Sequence, residues 1–245
     1  MSNAKELPNA LAHQTRDKAN HDKEDNMSTL KEFAMASARP LPVMLLLDIS
    51  GSMGTNGKID ILNEAVSEMI ETFVGEDDFR AEIHVSVITF GGQEAKLHLP
   101  LQPADSIKWL PMKAKGRTPM GQAFSLAQQM IEDKSIIPSR AYRPTVILVS
   151  DGVPTDDWHG PLDQLLNSER ASKAIRFAMG VGEEADNGTL NSFLSSNEAR
   201  VFHAHEARNI KNFFKWVTMS VTTRTRSATP DMEVNLNPNE IELDF

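Results

Sequence analysis

Short apolar runs alternate with longer segments of helical period through most of this 245-residue chain, which restricts it to a mostly parallel sheet covered by helices. Val43 to Asp48 is close to continuously apolar, as a central strand buried on both faces must be. Ile83, Val85, Val87 and then Ile88 to Phe90 form a second run. Gly91 and Gly92 turn the chain, and Ala95 to Leu101 returns as an antiparallel edge strand that stops at Pro100 and Pro103. Thr145 to Ser150, Ile175 to Val181 and Val201 to His203 supply the remaining strands. Ile59, Leu62, Val66, Met69, Ile70 and Phe73 recur at spacings of three and four and predict an amphipathic helix from Ile59 to Val74, ended by Gly75. Further helices are expected from Met120 to Ile131, Leu162 to Ser172, Thr189 to Leu194 and Ile210 to Val221. The expected class is α/β: a doubly wound, mostly parallel six-stranded sheet with helices on both faces and one antiparallel edge strand.

The length suits one large domain. Its expected limits are 40–226, between a polar, disordered N-terminal extension (1–39) and an acidic C-terminal tail (227–245) that carries Asp231, Glu233, Glu240, Glu242 and Asp244 and no base. A formal charge of −9 argues against a non-specific grip on nucleic acid or on an anionic membrane. The longest apolar run, Val43 to Leu47, falls far short of the roughly 20 residues that span a bilayer, and the first 39 residues lack the apolar core of a secretory signal. A soluble cytoplasmic protein is expected. The absence of cysteine excludes disulfides, thiolate metal sites and a cysteine nucleophile.

Chemistry concentrates at the carboxyl end of the first strand, where Asp48-Ile49-Ser50-Gly51-Ser52 reads D-x-S-x-S. Open α/β sheets bind their ligands at that edge. Three oxygen-bearing side chains at alternate positions of a glycine-bent loop can converge on one point, and hard oxygens suit Mg²⁺, Mn²⁺ or Ca²⁺. Thr118, before Pro119 and at the expected N-cap of the Met120 helix, offers a fourth oxygen. Asp151, directly after the strand that ends at Ser150, offers a fifth.

D-x-S-x-S, then Gly116-Arg117-Thr118-Pro119-Met120-Gly121, then Ser150-Asp151-Gly152 after an apolar strand, resembles the metal-ion-dependent adhesion site (MIDAS) of the von Willebrand factor type A fold. The resemblance runs from Pro40 to about Ser220 and implies the strand order 3-2-1-4-5-6. It implies a metal held by Asp48, Ser50, Ser52, Thr118 and Asp151, with the hydroxyls as direct ligands and the carboxylates often acting through water. Such an ion is under-neutralised and takes a Glu or Asp from a partner protein, so the resemblance implies a Mg²⁺-dependent protein-binding module and not an enzyme. The rim expected to give specificity is Met53, Thr55, Asn56, Arg117 and the stretch from Pro154 to His159, in which Trp158 is either an interface anchor or a ring packed on its own domain. The closing run Phe213-Phe214-Lys215-Trp216-Val217, with Ser220, Val221, Arg226 and Ser227, is similar to bacterial cytoplasmic members associated with tellurium resistance and stress response. By that analogy the partner is a kinase, a phosphatase or another protein of a stress or defence system. Self-association is a further expectation, with Glu240, Glu242 or Asp244 of the tail as ligand to the metal.

The main alternative is a metal-dependent phosphate-ester hydrolase, for which His159 is the nearest candidate base. A dehalogenase-type phosphatase needs Asp-x-Asp, and Ser50 stands at the second position. No G-x-S-x-G elbow and no phosphate-loop lysine motif appears. His203 with His205, and the acidic cluster Glu76-Asp77-Asp78, read as ordinary surface features.

Overall fold

The computed structural model describes residues 38–76, 81–194, 201–204 and 208–232. Its strands are β1 (Arg39–Asp48), β2 (Ala81–Gly91), β3 (Glu94–Pro103), β4 (Thr145–Ser150), β5 (Ile175–Val181) and β6 (Phe202–Ala204). They form one sheet in the order β3-β2-β1-β4-β5-β6, parallel throughout except for the antiparallel pair β2–β3. The helices are α1 (Lys58–Val74), α2 (Met120–Glu132), α3 (His159–Asn167), α4 (Asn187–Leu194) and α5 (Arg208–Arg226).

The alternation of side chains along β1 divides the core into two layers. Leu41, Val43, Leu45 and Leu47 face α1 and α5, packing with Leu62, Val66, Phe213 and Val217. Met44 and Leu46 face the other way, toward Phe124 of α2, Leu165 of α3 and Phe193 of α4. Since β1 and β4 run parallel with Leu47 beside Val149, the ends of both strands reach the same edge of the sheet. Asp48 and Asp151 are delivered there by strand register alone.

Four expectations are corrected in detail. The edge strand does not stop at Pro100: it continues to Pro103, because Pro100 falls at a shift of register against β2, where no ladder hydrogen bond is required of it. The helix expected from Leu162 to Ser172 ends at Asn167, with Ser168 extended at ψ 160°, and a separate 3-10 turn covers Ala171–Lys173. The break is fixed by Glu132, whose carboxylate accepts the backbone N–H groups of Arg170 (2.8 Å) and Ala171 (2.9 Å). Burial opposes ionisation of Glu132, but these bonds, with Ser168 and Arg170 nearby, together hold its carboxyl below the usual range. The closing helix runs five residues past Val221, because Arg224 is buried and donates to Thr145 Oγ1 (2.5 Å), Arg143 O (2.8 Å) and Pro230 O (2.7 Å). Finally, Asp231, expected in the acidic tail, accepts the Arg143 N–H at 2.7 Å, so the chain folds back at least that far. Glu233, Glu240, Glu242 and Asp244, like residues 1–37, Asp77, Asp78 and His205, lie outside the described residues.

Arg170 also donates to the carbonyls of Ile131 (2.5 Å) and Ile137 (2.7 Å), closing the end of α2 onto the chain that follows. Arg170→Ala is expected to lose about 2 kcal/mol in urea unfolding, because charged donors to carbonyls that water reaches poorly are removed together. A loss below about 0.5 kcal/mol would show that the carbonyls find water instead.

Candidate metal centre

The site begins where β1 runs out. Asp48 is fully buried, and its two oxygens are both engaged: Oδ1 accepts the Ser50 N–H at 2.7 Å and Oδ2 accepts the Ser150 hydroxyl at 2.6 Å. Met53 N–H then donates to Ser50 O and Thr55 N–H to Ser52 O, each at 3.1 Å, forming a 3-10 turn at Gly51–Gly54 that carries Ser52 beside Ser50. Their hydroxyl oxygens stand 3.0 Å apart, and Ser52 Oγ donates to Asp151 Oδ1 at 2.7 Å. Ser50, Ser52 and Asp151 thus bring three oxygens together from two strand ends. Ser52 is exposed while Ser50 and Asp151 are buried, so the cluster opens to solvent on one side only.

A second loop fixes the remaining wall. Gly51 N–H donates to Gly116 O at 3.0 Å, and Lys115 N–H to Ile49 O at 2.7 Å. Gly116 has φ +65°, and a Cβ there would stand 2.4 Å from the Gly92 Cα, so only glycine permits this approach. Thr118 is buried two residues on, with its Oγ1 4.0 Å from where a side chain at Gly152 would begin. Its backbone pairs with Thr155 in both directions: Thr155 N–H to Thr118 O at 2.9 Å, and Thr118 N–H to Thr155 Oγ1 at 3.1 Å.

Thr118 is not the cap of α2. Pro119 occupies that position, and the carboxylate of Asp156 accepts the N–H groups of Gly121 and Gln122, at 3.0 Å each. Capping from the β4–α3 loop leaves the Thr118 hydroxyl uncommitted to the helix terminus. All five residues singled out from the sequence therefore lie on one rim. Ser150, which orients Asp48, and Lys58, whose Nζ pairs with Asp151 Oδ2 at 2.7 Å, were missed. Ser150 belongs to the quoted Ser150-Asp151-Gly152 segment but carries no role there, and Lys58 stands one residue before the expected helix start at Ile59.

The expected rim is corrected at one position: Met53 is fully buried in the core beneath the turn. Trp158 is half-buried against the α2 layer, its ring stacked on His159 at 3.8 Å, so part of it packs on its own domain. Thr55, Asn56, Arg117, Thr155, Asp157 and His159 are exposed, and Val153, unremarked in the sequence, is 64% exposed directly after the Asp151-Gly152 step.

The donor set is three hydroxyls and two carboxylates, all hard oxygen, with no nitrogen or sulfur. Among the described residues no three His, Asp or Glu side chains gather to hold an ion, so neutral hydroxyls must supply much of any shell. Burial pushes the Asp48 carboxyl up to about 6 against the hydrogen bonds from Ser150 and Ser50, with Asp151 adding repulsion. A cation beside these carboxylates would offset that penalty, and the donors fit a divalent ion of the Mg²⁺, Mn²⁺ or Ca²⁺ kind.

The model of the von Willebrand factor type A domain matches residues 43–216. No curated protein sequence matches the chain. Proximal thread matrix protein 1 from the mussel byssus, in the structure with a zinc-occupied MIDAS motif, aligns with TM-score 0.58 and 17% identity over 74% of this chain and 48% of that one. A von Willebrand factor type A protein from Catenulispora acidiphila aligns with TM-score 0.57 and 18% identity, over 75% of this chain and 42% of that one. The pilus adhesin SpaC from Lactobacillus rhamnosus GG, in its open conformation, gives TM-score 0.62 and 13% identity, over 77% and 30%. This chain therefore spans half or less of the length of each, and at these identities the likeness is one of fold.

Proposed function

Because this chain belongs to the von Willebrand factor type A domain family, whose members generally mediate interactions between proteins, we propose that it is a metal-dependent protein-binding module. The observation that carries the reading is the meeting of Ser50, Ser52 and Asp151 oxygens at an edge open to solvent through Ser52. Ser50, Ser52, Thr118, Asp48 and Asp151 would hold the ion, Mg²⁺ in the reading we favour. When bound, it supplies one coordination position for an anionic oxygen, which a Glu or Asp of the partner fills.

The chain's own charges support an acidic partner. Between Asp105 and Glu132 the sequence has no acid and has Lys108, Lys113, Lys115 and Arg117, all exposed. Lys115 and Arg117 flank Gly116, the residue hydrogen-bonded to the turn that carries Ser52. In a chain of net charge −9 these two cations beside the site would steer acidic segments toward it and disfavour basic ones. Val153, two residues after Asp151, offers an exposed apolar contact.

Catalysis is not part of the proposal. His159, on which the hydrolase alternative relies, has its ring on Trp158, and its charged neighbour is Asp157 at 3.9 Å. A place in a bacterial stress, tellurium-resistance or defence system, with a kinase or phosphatase as partner, follows from the sequence resemblance. We propose a cytoplasmic location on the sequence pattern; among the described residues no helix is long and apolar enough to cross a membrane. Nucleic acid is not proposed as a partner.

Wild type and Ser52→Ala would be used to capture proteins from host extract in Mg²⁺ and in EDTA, and each captured protein purified and rebound. We expect a partner that binds wild type in Mg²⁺ at least about tenfold more tightly than in EDTA or with Ser52→Ala, and more weakly as salt rises. Equal affinity under all these conditions would overturn metal-bridged binding and turn attention to phosphatase assays.

A further inference from the structure

Lys58 stands at the first residue of α1, where the helix dipole disfavours a cation. Its ammonium is not turned out to solvent. It lies 2.7 Å from Asp151 Oδ2, with the Lys58 side chain 17% exposed and that of Asp151 fully buried. The same carboxylate accepts Ser52 Oγ on its other oxygen at 2.7 Å. On the far side, Nζ is 3.6 Å from where a side chain at Gly182 would begin, so the pocket for the ammonium is closed by backbone of the β5–α4 connection.

We propose that Lys58 is a built-in counter-cation of the metal centre, neutralising Asp151 when no ion is bound and weakening the site for a divalent ion. The proposal rests on the reading of the five oxygen-bearing residues as a metal centre. Asp48 and Asp151 bring two negative charges to the site and Lys58 one positive charge, so the protein presents one net negative charge to an incoming dication instead of two. The dication is then left with a net positive charge around it. That favours a site that holds its ion loosely alone and gains from an added carboxylate, and it lets the empty site stay folded.

The test is titration of Mg²⁺ and Mn²⁺ into wild type, Lys58→Met and Lys58→Arg, followed by calorimetry and by thermal unfolding in EDTA. Lys58→Met is expected to bind either ion about tenfold more tightly, since a full charge within a few ångströms of the dication is removed. In EDTA the same variant is expected to unfold about 5 °C lower, with Asp151 left unpaired, and to regain that loss on saturation with Mg²⁺. Lys58→Arg keeps the charge and should stay within about twofold of wild type in metal affinity. A purely structural lysine predicts the opposite sign, because a misplaced Asp151 would bind metal less well. Weaker or unchanged binding by Lys58→Met, or unchanged stability in EDTA, overturns the proposal while the metal reading stands. Absence of any binding by folded wild type overturns the metal reading and the proposal with it. If Lys58→Met does not fold in EDTA, Lys58→Gln in Mg²⁺ carries the affinity comparison, with the same expected direction.

Discussion

Gly121→Ala is expected to destabilise the protein by about 3 kcal/mol, although alanine in a helix ordinarily stabilises by about 1 kcal/mol over glycine. The sign reverses because a Cβ at Gly121 would stand 2.3 Å from Asp157 O and 2.9 Å from both Asp157 C and Trp158 Cα. These are backbone atoms, so no rotamer relieves the clash; α2 and the loop between β4 and α3 must separate. That loop carries Asp156, which accepts the Gly121 and Gln122 N–H groups, and Thr155, which pairs with Thr118. Separation therefore also disturbs the metal centre, and divalent-ion affinity should fall by about tenfold or more, as when the partners of metal ligands are removed. Gly160→Ala, in α3 and in the same neighbourhood but with nothing within 4 Å of its Cβ, is the control and should leave stability unchanged or raise it by up to about 1 kcal/mol. Urea unfolding of both variants, with Mg²⁺ titration of each, decides the matter. If Gly121→Ala proves as stable as wild type, the close approach of α2 to this loop is not a feature of the folded protein.

What was legible in the sequence was whatever a run of residues determines by itself. The strands from Thr145 to Ser150 and from Ile175 to Val181 are short, mostly apolar segments, broken only by Arg176 in the second, and they form with the expected limits. Strand order and the shared edge then follow from the resemblance, and they bring Asp48, Ser50, Ser52, Thr118 and Asp151 to one rim. What escaped depends on partners far along the chain. The last turn of α5 is rich in threonine and arginine and shows no apolar period; it is helical because Arg224 finds carbonyls at Arg143 and Pro230 and a hydroxyl at Thr145. Thr118 looked like a cap because the cap actually used, Asp156, lies 35 residues away from Gly121. Met53 looked like rim because a D-x-S-x-S loop does not disclose that its 3-10 turn points the next side chain into the core. Lys58 and Asp151, 93 residues apart, are likewise joined only by the fold.

Asp48→Asn should separate the stability of the fold from the charge of the site. Asparagine can keep both contacts: its carbonyl oxygen accepts the Ser50 N–H, and its amide donates to Ser150 Oγ, whose proton can turn toward Gly152 O at 3.4 Å. What is lost is a buried negative charge, and burial has raised the pKa of that group from 3.8 to about 6. Between those values the native state binds a proton that the unfolded chain has released, so in EDTA the stability of wild type falls as pH rises from about 4 to 6. Each tenfold difference in proton affinity between the two states is worth about 1.4 kcal/mol, so the accumulated loss above pH 6 is on the order of 3 kcal/mol. Asp48→Asn has no such titration. In EDTA it should therefore match wild type near pH 4 and exceed it by up to that amount near pH 7.5, while its affinity for Mg²⁺ falls by about tenfold or more. Urea unfolding at both pH values, with Mg²⁺ titration at the higher one, tests the two halves together. A wild type that is the more stable protein at pH 7.5 without metal would mean that the buried carboxylate is not a strained charge awaiting a cation. The expected outcome, a more stable protein that binds metal poorly, is the mark of a residue kept for binding at the expense of the fold.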